Sequence, residues 1–374
     1  MNIKGLLSIG FSDILGTGIS AIFWFFMATL MEPEKFGEIF YFIGIASITS
    51  YIALIGSQDT ITVYVAKKIK IQPVLNLISL VLGGISFVVI FIIFDRIDTS
   101  FLLLAFVINT LAIGDLLGRK LYNSYSKYFL TQKILTVVLG FGFYYLFDIQ
   151  GIIFALALSY IAYSIRIFKS FKETKIDFKL LKSRIGFIGN NYMIRLADNS
   201  KNQIDKLIIA PLLGFALLGN YALAIQLVSV LFIFSSIVFK YTLSEDARGN
   251  RNEKLKKISV LFSTIISIVG FFLSPIIIPE LFPKYIEVVD AIQIMVFSTI
   301  PFSIGSIYKS KILALEKSRF VIIATIGSLI TMISAMVILG TVFGIIGLSI
   351  AFVLAISVET IILVLLSIKT EKNN

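Results

Sequence analysis

The chain has 374 residues, 57% of them hydrophobic and only 15% charged, with a formal charge of +11 and a mean hydropathy of +0.96. Soluble domains average about 45–50% apolar and about 25% charged residues, so this balance excludes a soluble enzyme and describes a polytopic membrane protein. Cysteine and histidine are both absent, which removes disulfides, thiolate chemistry, the commonest metal ligand and the commonest proton shuttle.

Apolar runs of about 20 residues, each enough for one helical crossing, recur along the whole length. They predict twelve spans, at 10–31, 37–58, 74–95, 99–118, 130–148, 150–168, 185–212, 217–240, 257–278, 289–310, 320–340 and 344–367. The first span follows residues 1–9 with no A-x-A-like cleavage site, so it is expected to serve as its own signal. Residues 59–73 (DTITVYVAKKIKIQP) are too polar to cross and read as an interfacial amphipathic helix. Pro275, Pro279 and Pro301 are expected to kink or end spans nine and ten.

Charge sets the expected orientation. If the termini and the joints after even-numbered spans share one side, that side holds 27 of the 33 Lys and Arg. The opposite side keeps Lys35, Arg96 and Lys284, and Arg195, Lys201 and Lys206 lie inside span seven. Such asymmetry places both termini in the cytoplasm, in a cytoplasmic membrane. The basic excess then reflects topology and contact with membrane lipids, not nucleic-acid binding. The external joints are too short for an extracytoplasmic catalytic loop, and no G-x-x-x-x-G-K-[ST] phosphate loop is present. Neither enzymatic activity nor a cofactor is expected, and transport energy would come from an ion gradient or the substrate's own.

The basic stretch KSFKETKIDFKLLKSR (169–184) divides the chain into residues 1–168 and 185–374, each with six spans. Leu30 to Ile45 (LMEPEKFGEIFYFIGI) and Leu212 to Leu227 (LLGFALLGNYALAIQL) repeat a pattern in which Phe36-Gly37 corresponds to Leu218-Gly219, an offset of 219 − 37 = 182 residues. An even span number per half predicts a pseudo-twofold along the membrane normal, with a substrate path at the interface of the halves near the midplane.

Span seven is the anomaly. An ionisable residue at mid-membrane costs from about 2.5 kcal/mol to several times that, yet IGFIGNNYMIRLADNSKNQIDKLIIAPLL carries Arg195, Asp198, Lys201, Asp205 and Lys206. At 100° per residue, Asn191, Arg195, Asp198, Asn202 and Asp205 fall within about 80° of arc. Arg195 with Asp198, and Lys201 with Asp205, are spaced for intrahelical pairing. Two readings stay open: an ion network locking helices together, or the wall of a hydrated translocation cavity. In the second, Arg195 offers a fork and Lys201 a mobile charge to an anionic head group, and Asn191 and Asn202 meet sugar hydroxyls. Asp13, which the repeat offset aligns with Arg195, is either a proton or sodium carrier, with Asp198 as a second candidate, or an acid stabilising a helix N-terminus. Glu359 is an isolated acid in span twelve, and Asp115 is spaced to pair with Arg119. Gly114 to Lys120, GDLLGRK, matches the D-x-x-G-R-[RK] loop of the major facilitator superfamily but follows span four, where that signature does not belong.

On FMATLMEPEKFGEIFYF (Phe26 to Phe42) and QIDKLIIAPLLGFALLGNYALAIQL (Gln203 to Leu227), with the six-plus-six layout, the chain resembles the multidrug/oligosaccharidyl-lipid/polysaccharide exporter superfamily. Within it the chain is most similar to the flippases of O-antigen and capsular repeat units. Met31-Glu32-Pro33-Glu34-Lys35-Phe36-Gly37 matches their first turn, with Glu32 where that turn has glycine, and Asp205, Leu218, Gly219 and Tyr221 match their seventh span. The resemblance implies an all-α membrane protein that flips a polyprenyl-phosphate- or pyrophosphate-linked oligosaccharide by alternating access, beside glycosyltransferases or a polysaccharide polymerase. Its rival within the superfamily is an ion-coupled multidrug exporter, whose cavity favours acids and aromatics over Arg and Lys.

Overall fold

A computed structural model describes residues 3–55, 58–173, 176–182, 184–246, 252–315 and 317–372. Lys175, Arg248 and Arg251 of the expected basic side, and residues 174, 175 and 183 of the basic linker, lie outside the described residues. Among the described residues every regular element is helical: α1 (Ile3–Leu30), α2 (Pro33–Ala53), α3 (Gln58–Ala66), α4 (Gln72–Phe94), α5 (Ile97–Gly118), α6 (Tyr122–Ser159), α7 (Ile161–Glu173), α8 (Lys179–Lys182), α9 (Ile185–Leu213), α10 (Phe215–Leu231), α11 (Ile233–Asp246), α12 (Glu253–Leu281), α13 (Val288–Met295), α14 (Thr299–Ala314) and α15 (Ser318–Lys372).

A bilayer core about 30 Å thick takes about 20 helical residues. α1, α2, α4, α5 and α12 are single apolar crossings, and α13 and α14 make one more through the 3-10 segment Val296–Ser298. The 52-residue stretches Tyr122–Glu173 and Ser318–Lys369 are too long for one pass. Each is broken into two, at Asp148 (φ 53°, ψ −135°) and at Gly344 (φ 57°, ψ −131°). α10 and α11, bent by 47° at their junction, together have the length and apolarity of a further span. α9 has the length of a span but too many charges to qualify on apolarity alone. These elements coincide with the twelve spans expected from the sequence.

Packing groups the chain into two units, residues 1–23 with 42–203, and residues 24–41 with 204–374. In the first unit α5 is central, packed by α3, α4, α6 and α7. Leu102, Leu103, Val107 and Leu111 are fully buried there, while Ile85, Val88, Ile92 and Ile93 of α4 are exposed. An apolar face of that extent belongs against lipid, not water. The helix expected over 59–73 is shorter and more deeply seated: α3 ends at Ala66, and its Thr60, Ile61 and Tyr64 are buried. The reason is steric. A Cβ on Gly114 would stand 2.8 Å from the Gln58 carbonyl and one on Gly118 2.9 Å from that of Thr62, so glycine lets α3 lie directly on α5.

The second unit is held by hydroxyls at small-residue contacts. Ser235 bonds Ser263, Ser259 bonds Ser303, and Ser267 bonds both Thr299 and the Val296 carbonyl, at 2.6–3.2 Å. Phe232 stacks on Phe302 with centroids 4.1 Å apart. The helix does not stop at Pro275 as termination would require; α12 continues to Leu281. Pro275 cannot donate to the Phe271 carbonyl, and that oxygen instead accepts from Ser274 Oγ (3.3 Å) and Gln293 Nε2 (3.4 Å). Pro301 lies in the first turn of α14, where a missing N–H costs little, whereas Pro279, in the last turn of α12, cannot donate to the Pro275 carbonyl, and the helix ends two residues later.

The internal repeat is visible in two places. A Cβ on Gly37 would stand 1.9 Å from the Phe215 carbonyl, and one on Gly219 1.8 Å from the Pro33 carbonyl. Pro33 and Phe215 are related by the same offset as Gly37 and Gly219, so α2 and α10 touch reciprocally, as a local twofold requires. The breaks at Asp148 and Gly344 have the same backbone angles, and each precedes a glycine crowded by a carbonyl across the break: Gly151 by Phe143 (2.2 Å) and Gly347 by Leu339 (1.9 Å).

Candidate translocation site on α9

α9 belongs to the first unit up to Gln203 and to the second from Ile204. In the first unit, Arg195 Nε and Nη2 each lie 2.6 Å from an oxygen of Asp59, at the start of α3. This bidentate fork replaces the intrahelical pair with Asp198 suggested by spacing. A guanidinium accepts two coplanar oxygens better than one, and the first turn of α3 presents them. Both side chains are about two-fifths exposed (38% and 40%). Tyr51 and Asp198 are near enough to act on Arg195 electrostatically.

The same side of the helix is tied to α2. Tyr192 Oη donates to the Ile52 carbonyl at 3.1 Å and Ser47 Oγ to Asn199 Oδ1 at 3.1 Å. Asn199 Nδ2 and Gln203 Oε1, one turn apart, are buried without hydrogen-bond partners among the described residues. Each such atom costs about 1–3 kcal/mol unless water or a ligand meets it. Beside them Asp198 and Asn202 are exposed, Lys201 is half-buried, and half-buried Asn191 donates to its own Phe187 carbonyl. In the second unit, Asp205 is buried, and its carboxylate accepts from the Lys206 N–H (2.8 Å) and Nζ (3.1 Å). The five residues of the predicted stripe are thus not one continuous surface. Arg195 and Asp205 are engaged by other charges, whereas Asp198 and Asn202 face outward.

Asp13 lies well inside α1, which begins at Ile3 with no acid in its first turn. The helix-terminus account is therefore replaced by a bond from Tyr125 Oη to Asp13 Oδ1 at 3.0 Å. Asp115 does pair with Arg119 at 2.8 Å, and Arg166 joins them. Glu359 is not isolated: it lines a cavity of about 320 Å³ in the second unit with Lys240, Lys309, Ser236, Ser306 and Thr360.

Sequence reasoning missed Asp59, Tyr192, Asn199, Gln203 and this cavity. The spacing of Tyr192, Arg195, Asn199 and Gln203 was a usable signal, since it marks a second polar stripe beside the first. Asp59 carried none, being 136 positions from its partner.

By sequence, no family model and no curated protein matches the chain. By structure, an inward-facing multidrug resistance MATE family transporter of the MOP superfamily superposes with a TM-score of 0.71 at 15% identity, covering 98% of each chain. The lipid II flippase MurJ, in an inward closed conformation, superposes with a TM-score of 0.77 at 16% identity over 98% of this chain and 88% of its own. A MATE bound to MaD5 gives 0.67 at 16% identity over 98% and 95%. The chain therefore has the all-helical, multi-pass membrane fold shared by the MATE and MurJ transporters of the MOP superfamily.

Proposed function

We propose that this protein is a transporter that flips a polyprenyl-phosphate- or pyrophosphate-linked oligosaccharide across the cytoplasmic membrane by alternating access, for surface polysaccharide synthesis. In this reading both termini are cytoplasmic, residues 1–168 and 185–374 act as the two six-helix halves, and 169–184 links them. The observation that carries it is the α9 face in the first unit. An arginine fork, exposed Asp198 and Asn202, and an orphaned donor and acceptor at Asn199 and Gln203 stand together on a membrane helix. Saccharide hydroxyls both donate and accept, so they suit that mixture better than a lone organic cation does.

Arg195, Lys201, Asn191, Asn202, Asp198 and Asp205 are assigned to the sugar-phosphate head. Because Asp59 already fills the Arg195 fork, phosphate must exchange with a carboxylate of similar bite. Asp59→Asn weakens that competitor and should lower the apparent KM for a fluorescent lipid-linked saccharide in proteoliposomes. Arg195→Ala should abolish flipping and accumulate lipid-linked repeat units in cells while the protein still inserts. Normal flipping by Arg195→Ala would remove Arg195 as a clamp.

A second reading is an ion-coupled multidrug exporter, favoured by Asp13 held by the Tyr125 hydroxyl in α1 and by the similarity to the MATE transporters. Here Asp13, with Asp198, carries the coupling ion. Gradient-driven efflux of a cationic dye from the same proteoliposomes, lost in Asp13→Asn, with no saccharide flipping, would select it.

A further inference from the structure

The corner after α5 carries GDLLGRK, Gly114 to Lys120, which the transport reading leaves unused. Its glycines seat α3 on α5, and its Asp115 is buried (2% exposed) between Arg119 and Arg166. Arg119 also reaches Glu173 at 2.8 Å. Two acids and two arginines thereby balance. Burial pulls the Arg119 pKa down, but its bonds and attraction to Asp115 and Glu173 leave it above the usual guanidinium range.

α3 and α5 then end alike. Lys68 and Lys120 are both left-handed, at φ 59°. Their N–H groups donate to Val65 and Leu117, and the next N–H groups, of Ile69 and Leu121, close back on Tyr64 and Leu116. The left-handed position of this C-cap is usually glycine, so lysine in both places carries backbone strain.

Between the two caps lies a cleft of about 690 Å³ that includes Lys68, Lys70, Lys120, Arg119, Gln72 and Glu173. Lys68, Lys70 and Lys120 are exposed and form no ion pair among the described residues. Gln72 is only 4% exposed, and its Oε1 accepts no hydrogen bond among the described residues. Three uncompensated cations and one buried acceptor call for a ligand with negative charge and a hydroxyl donor.

We propose that this cleft binds a phosphate esterified to a hydroxyl-bearing head group, with Lys68, Lys70 and Lys120 on the phosphate and Gln72 Oε1 accepting from a hydroxyl. The same chemistry comes from an anionic glycerophospholipid at the membrane face or from a soluble glycerol or sugar phosphate. The assignment is independent of what α9 carries.

Native mass spectrometry of the full-length protein, titrated with phosphatidylglycerol and with phosphatidylmethanol, tests it. Lys68→Gly/Lys70→Ala/Lys120→Gly should weaken phosphatidylglycerol binding roughly a hundredfold, at about fivefold per cation, with no fall in Tm because glycine relieves the caps. The charge-matched Lys127→Ala/Lys254→Ala/Lys257→Ala should bind as the native protein does. Gln72→Leu should erase the preference for phosphatidylglycerol over phosphatidylmethanol while keeping the dependence on charge. Millimolar glycerol phosphate that displaces the lipid assigns the site to a soluble ligand, and persistence assigns it to the lipid, either result upholding the cleft. Equal binding by the native protein and the first triple variant, or equal loss in the charge-matched control, overturns the proposal.

Discussion

Two arginines show how burial decides what an ion pair does. Arg166 and Asp115 expose 9% and 2% of their side chains, so removing Asp115 strands Arg166 in low dielectric, and removing Arg166 takes one of its two arginines from buried Asp115, a loss of up to about 3–5 kcal/mol. Arg195 and Asp59 remain about two-fifths exposed, where such a pair contributes about 0–1 kcal/mol. Thermal unfolding in detergent should therefore show Arg166→Ala or Asp115→Ala strongly destabilised and Arg195→Ala nearly native. A comparable loss in Arg195→Ala would mean that its fork is structural, and any transport defect in that variant would then say nothing about substrate.

At the scale of elements, glycine and serine decide more than the large apolar residues do. Ser259, Ser263 and Ser267 recur along one face of α12 and bond helix to helix, while Ile258, Leu261, Ile265 and Ile268 point outward. In lipid, apolar side chains gain little by meeting each other, so close backbone approach and hydroxyl bonds supply the association. The paired helix breaks offer a direct test. Asp148 occupies at φ 53° a conformation that its counterpart Gly344 adopts without a Cβ penalty. Asp148→Gly should stabilise the protein by about 1 kcal/mol and Gly344→Ala destabilise it by about 1–3 kcal/mol. Denaturation midpoints moving in the same direction for both variants would contradict the equivalence of the two breaks.

For the whole molecule, the charge asymmetry makes a prediction about sidedness. The chain has no native cysteine, so single introduced thiols report without background. Lys254→Cys should react with a membrane-impermeant maleimide only from the cytoplasmic face, and Lys284→Cys only from outside. Labelling of both from one side would refute the orientation. The excess basic charge is concentrated in joints, consistent with a chain that orients by its loops while its spans stay apolar.

The span pattern, the polar anomaly of α9 and the offset relating Gly37 to Gly219 were all legible in the residues, because each rests on local periodicity or composition. The sequence also marked Asp115 and Arg119 as partners, since one helical turn separates them. It could not supply Asp59 for Arg195, Tyr125 for Asp13, or the cavity that Glu359 lines with Lys240 and Lys309, all of which bring distant segments together by packing and not by spacing. The extent of α3 was misread for the same reason: its polarity suggested a helix lying at the interface, whereas two glycines on α5 gave it a protein surface to lie on. Sequence by itself determined that the chain crosses the membrane repeatedly and where its charge resides. Only the tertiary structure decided which charges are neutralised and which polar atoms are left waiting for a partner, because a buried group's cost depends on what the fold brings to it.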